Sequence, residues 1–112
     1  MKFIIARGEL SDALTVASRG LSSRSTLPIL SGILITAEDK GAVSFQTTDL
    51  EVSVKTVVEG AVDRPGQSVL PGRLLADIVR SLPEAAVTVE VDGDTASVTC
   101  GQAAFTVRTL KA

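Results

Sequence analysis

One layout occurs twice in this chain of 112 residues: a strand, a helix, then three strands. The first copy runs from Phe3 to about Val58 and the second from about Gln67 to Leu110, so the repeats occupy about 1–62 and 66–112. Arg19-Gly20-Leu21 and Arg80-Ser81-Leu82 mark the matching helix ends. Such a doubling predicts an α+β domain with pseudo-two-fold symmetry, in which two helices lie side by side on one face of an antiparallel sheet. A chain of this length is one domain and can bury a working core alone.

The periodicities within each copy carry that expectation. Phe3-Ile4-Ile5-Ala6 is a short buried strand, and Leu10, Ala13, Leu14, Ala17 and Leu21 then recur at helical spacing, with Gly20 as the stop. Leu27-Pro28 forces an extended entry into a central strand running from Ile29 to Thr36. Asp39-Lys40-Gly41 is a turn; Val43 and Phe45 alternate with polar residues, as do Val52, Val54, Thr56 and Val58. Asp63-Arg64-Pro65-Gly66 reads as the joint between copies. Ser68-Val69-Leu70 opens the second, and Pro71 suits a helix entrance. The second helix should bury Leu74, Leu75, Ile78, Val79 and Leu82 and expose Arg73, Asp77 and Arg80. Three strands follow, with a hairpin at Asp92-Gly93-Asp94.

No catalytic set assembles from these residues. Histidine is absent, which removes the commonest general base and metal ligand. Acidic residues fall in turns or at helix starts, where they serve backbone hydrogen bonds and the helix dipole. Thr48-Asp49-Leu50-Glu51 reads as a turn capped by the Asp49 carboxylate. No glycine-rich phosphate loop is present. An enzyme, a cofactor and a metal are therefore not expected. The single cysteine, Cys100, excludes an internal disulfide and reads as a small buried hydrophobe in a reducing compartment. Neither a signal peptide nor a membrane span is legible, so the expected location is the cytoplasm.

Charge gives the first functional clue. A net charge of −2 and a pI near 5.0 argue, taken alone, against a nucleic-acid partner. Phosphates respond to local charge, however, and the two signs can occupy different faces. Arg19 and Arg24 follow the first helix, and Arg73 and Arg80 line the second. Ordinary helix-surface charge, with Arg73–Asp77 as an i,i+4 pair, is the plainer account. The other account is a shared surface that meets duplex phosphates without reading sequence, since no aromatic residue stands beside these arginines to stack on bases. The final strand, Ala103-Ala104-Phe105-Thr106-Val107-Arg108, is an unblunted edge, which suits pairing with another chain, although Phe105 and Val107 also suit the core.

Six stretches in order resemble one family. They are Met1-Lys2-Phe3 before a helix, Arg24-x-Thr26-Leu27-Pro28-Ile29-Leu30, Thr48-Asp49-Leu50-Glu51, Pro71-x-Arg73, Arg80-x-Leu82-Pro83 and Phe105-x-Val107-x-Thr109-Leu110. Together they resemble the N-terminal domain of the bacterial sliding clamps, the β subunits of DNA polymerase III. The resemblance implies a DNA-clamp domain, the first of three in tandem, with two protomers closing head to tail around double-stranded DNA. It implies helices lining the hole, sheets forming the outer wall, and a non-enzymatic processivity role. Arg24 and Arg73 fall on DNA-contacting positions of the family, with Arg19 and Arg80 as weaker candidates. Phe105 and Val107, with Ile78 and Leu82, fall on the junction with the second protomer. Polymerase and clamp loader would be bound through domains beyond this chain. From a different class, a small module that binds partners by strand addition at its sheet edges also fits the residues.

Overall fold

The structure, a computed structural model, describes residues 1–21, 32–48 and 51–110. In the first repeat, β1 (Lys2–Ala6) runs directly into α1 (Arg7–Ala17), which tightens into a 3₁₀ turn (Ser18–Gly20). β2 (Gly32–Ala37), β3 (Ala42–Thr48) and β4 (Ser53–Glu59) follow. The short β5 (Ala61–Arg64) precedes the second repeat, which consists of β6 (Gly66–Pro71), α2 (Gly72–Arg80), β7 (Ala86–Asp92), β8 (Thr95–Cys100) and β9 (Ala103–Arg108). Both repeats thus have the expected strand, helix and three strands.

The strands form two antiparallel sheets where one was expected, in the orders β5-β1-β7-β8-β9 and β4-β3-β2-β6. Without β5, the first sheet is the second with the repeats interchanged. β1 pairs with β7 of the other copy, from Lys2↔Glu90 to Ala6↔Ala86. β6 pairs with β2 of the other copy, from Gly32↔Pro71 to Ala37↔Gly66. Each repeat therefore lends its opening strand to the other repeat's sheet. Strand periodicity specifies which face is buried, not which neighbour supplies the hydrogen bonds, and so a single sheet was the simpler expectation. β5 was hidden inside the expected joint: Asp63 and Arg64 look like turn residues, yet Lys2 pairs with Arg64 and Phe3 with Val62.

A continuous core joins the two sheets to the helices. Phe3 on β1 and Phe45 on β3 are both fully buried and meet edge to face, with ring centroids 6.5 Å apart at 77°. This orientation suits the ring quadrupoles and ties one sheet to the other. Leu10, Leu14 and Ala17 of α1, and Leu75, Ile78 and Val79 of α2, close the core from the helical side, and Cys100 is buried in β8 as expected. Leu74 departs from expectation at 50% exposed. It lies about 40° beyond Ile78 around the helix, because four residues at ~100° each overshoot one turn by that amount. Ala76 occupies the buried arc instead.

The ends of the helices are held by tertiary contacts where side-chain caps are missing. Neither helix has a side-chain N-cap, but Arg7 N–H donates to Ala85 O at 3.0 Å. At the other end of α1, the hydroxyl of Thr47 on β3 donates to Ala17 O. Gly20 stops the helix, as expected, but without a left-handed backbone. Its φ is not positive, but a Cβ there would overlap Thr47 Oγ1 and sit 3.2 Å from Val54 Cγ2. The 3₁₀ turn can press against β3 and β4 only where a side chain is absent. Gly20→Ala should therefore destabilise the chain by ~1–3 kcal/mol, as overpacking does. Gly8→Ala, with nothing within 4 Å of its added Cβ, should be neutral or stabilising. Urea midpoints of the two variants check this, and equal midpoints would contradict it.

Candidate nucleic-acid interface

α1 and α2 pack against each other, and a groove of about 290 Å³ lies between the end of α1 and the exposed side of α2. Ser18 and Leu21 line it from the first repeat, and Arg73, Ala76, Asp77 and Arg80 from the second. The spacing of the α2 residues explains their shared position. Residues 73, 76, 77 and 80 recur at three and four, so they lie along one stripe. Arg73 and Arg80 are seven residues apart, which is ~10.5 Å along the helix axis. Bringing Ser18 and Leu21 opposite them requires the packing of one repeat on the other.

The arginines divide by location. Arg7 pairs with Glu84, Arg64 with Glu90 at 2.5 Å, and Arg108 with Asp94 at 3.8 Å. These three pairs join strands, strand ends or the α1 entrance and keep positive charge there compensated. Among the described residues, no acidic side chain pairs with Arg19 or Arg73, and both are exposed. Arg80 is tied to its own helix, through Nη2 to Asp77 Oδ1 at 2.7 Å and Nε to Ala76 O at 3.3 Å. Asp77 thus pairs at i,i+3 with Arg80, where the sequence suggested an i,i+4 pair with Arg73. The other flank of the helix layer has the opposite sign: Glu9, Asp12, Ala13 and Val16 of α1 line a cleft of about 310 Å³ with Thr56, Val57 and Val58 of edge strand β4.

Arg73 and Arg80 are therefore brought together on one groove. Arg19 is exposed on the adjoining 3₁₀ turn, and Arg24 lies outside the described residues, as does the expected turn at Asp49-Leu50. The four residues expected at a protomer junction are placed unequally. Ile78, Leu82 and Val107 are buried in the core of this chain, whereas Phe105 is 37% exposed on edge strand β9. β4 ends the other sheet, with Val57 exposed on it. Sequence reading passed over Ser18, whose hydroxyl is buried in the groove without a hydrogen-bond partner among the described residues. Its polar character on an α1 face was the only signal, and nothing local pointed to α2. No described helix is long and apolar enough to cross a membrane.

This doubled fold, with its helices gathered into one layer, places the chain in the sliding-clamp class. It superposes on the Caulobacter crescentus DNA polymerase III β structure with a TM-score of 0.93 at 35% identity, covering 100% of this chain and 30% of that one. A sliding clamp from Bacillus subtilis gives 0.93 at 34% identity, covering 98% of this chain and 31% of that one. The chain belongs to the family described as DNA polymerase III beta subunit, N-terminal domain, which matches residues 1–112. The beta sliding clamp of Micrococcus luteus is 49% identical over 110 residues, covering 98% of this chain and 35% of that protein. That of Bacillus subtilis is 36% identical over 121 residues, covering 100% of this chain and 32% of that protein. The chain thus spans about a third of the length of these relatives.

Because Arg80 and Asp77 are 60% and 71% exposed, their pair adds little to stability. Arg73→Ala and Arg80→Ala should each shift unfolding free energy by less than ~0.5 kcal/mol. Denaturant titration checks this, and a loss several times larger would assign these arginines to the fold.

Proposed function

We propose that this chain is the first domain of a ring-shaped processivity factor that encloses duplex DNA and tethers the replicative polymerase to it. The observation that carries the proposal is the groove on the helix layer. Arg73 and Arg80 converge there, while the arginines of the strands and the α1 entrance are paired with acids. A helix face of this kind meets phosphates through guanidinium groups and has no aromatic platform for bases, so its contacts are independent of sequence. Arg24 and Arg73 are the principal DNA-contacting residues in this proposal, with Arg19 and Arg80 in support.

An acidic chain suits this role. Enclosure replaces tight binding, and a steep electrostatic attraction would slow sliding. A few inward arginines on a protein of net charge −2 give a weak, salt-sensitive hold. The ring would be a homodimer, closed where β9 adds to a strand of the second protomer and Phe105 supplies the exposed apolar contact of that seam. Ile78, Leu82 and Val107 would shape the seam from beneath. Polymerase and clamp loader would bind elsewhere in the longer protein. The domain would act in the cytoplasm as an accessory subunit, without catalysis of its own.

Arg24→Ala combined with Arg73→Ala should weaken duplex association. The slope of log K against log salt should become shallower by up to about 1.8, at ~0.9 for each lost phosphate contact. Thermal melting should be unchanged. DNA association that is the same after both changes, over the whole salt range, would refute the proposal.

A further inference from the structure

We propose that Asp77 is a built-in competitor for DNA phosphate: its carboxylate occupies the Arg80 guanidinium and so weakens the hold of the inter-helix groove on the duplex. This rests on the groove facing DNA, as proposed above. Two of the Arg80 donors are already committed to its own helix, Nη2 to Asp77 Oδ1 at 2.7 Å and Nε to Ala76 O at 3.3 Å. A carboxylate and a phosphate compete for the same guanidinium charge and donors: among the described residues the Nη1 donors stay free, but a phosphate gains the Nη2 donor that Asp77 holds, and the uncompensated charge, only when Asp77 is released. The exchange is accessible because both partners are mostly exposed, and ion pairs of that kind are weak.

The location of Asp77 makes it specific. Among the described residues it is the one acidic residue lining this groove, flanked along the same stripe by Arg73 and Arg80. Among the described residues the groove thus presents two guanidinium groups and one carboxylate, with the Ser18 hydroxyl buried in its wall. Asp77 cancels one of the two cations without removing it. The effect is to hold the number of phosphates engaged, and hence the resistance to sliding, below what the arginine content alone would give.

The test is a titration of this 112-residue chain with a short DNA duplex, followed by amide NMR shifts across a range of salt. The variants are Asp77→Asn, Arg80→Ala, the double variant and Arg73→Ala, and amide spectra report whether each is folded. Asp77→Asn should bind about three-fold tighter at low salt and steepen the salt slope by ~0.9, the value for one added phosphate contact. In the Arg80→Ala background, the same change should lose most of that gain, because the freed guanidinium is missing. A full gain without Arg80 would mean a bulk charge effect and overturn the proposal. If Arg73→Ala weakens binding but Asp77→Asn has no effect, the competitor role fails and the DNA-facing groove stands. Indifference of binding to both changes, or absence of duplex binding by wild type and Asp77→Asn alike, would sink both.

Discussion

The reciprocal exchange of opening strands is the constraint on which the rest of this molecule depends. β1 completes the sheet of the second repeat and β6 completes that of the first, so neither repeat can close its sheet without the other. The exchange sets the two helices side by side and places Phe3 against Phe45 across the sheets. A pairing that joins residues 29 to 88 positions apart costs loop-closure entropy and is rewarded only when both copies are in place. The two copies are thereby joined into one fold with an internal two-fold relation.

That relation also determines what the surface can present. The helices form one layer, and the ends of both sheets remain available, β9 on one and β4 on the other. The arginine-bearing groove forms where the end of the first helix meets the exposed stripe of the second, so neither copy contains it alone. On the other flank, Glu9 and Asp12 face the β4 edge. The separation of sign within one small domain lets a chain of net charge −2 present a cationic side.

Much of the architecture was legible because local patterns and global fold agree. Alternation at Val43 and Phe45, helical spacing from Leu10 to Leu21, and turn residues at Asp39-Lys40-Gly41 each placed an element correctly. The failures were of two kinds. β5 looked like linker because Asp63 and Arg64 have turn chemistry, and tertiary pairing with β1 overrode it. Leu74 looked like core because it is apolar, and its angle around α2 placed it outside the buried arc. At the site, helical spacing put Arg73, Asp77 and Arg80 on one stripe, but gave no means of telling which arginine Asp77 would hold.

The amino-acid order by itself determined the duplicated α+β plan, the buried stripes and the arginine positions, since each follows from periods of two and 3.6 within a few neighbouring residues. Only the tertiary structure decided which strands exchange, that the layer beneath the helices is two sheets, that Asp77 holds Arg80, and that Ser18 comes to line the groove against the second helix. Those outcomes depend on contacts between segments far apart in the chain, where hydrogen-bond partners and side-chain neighbours are chosen by packing and not by spacing.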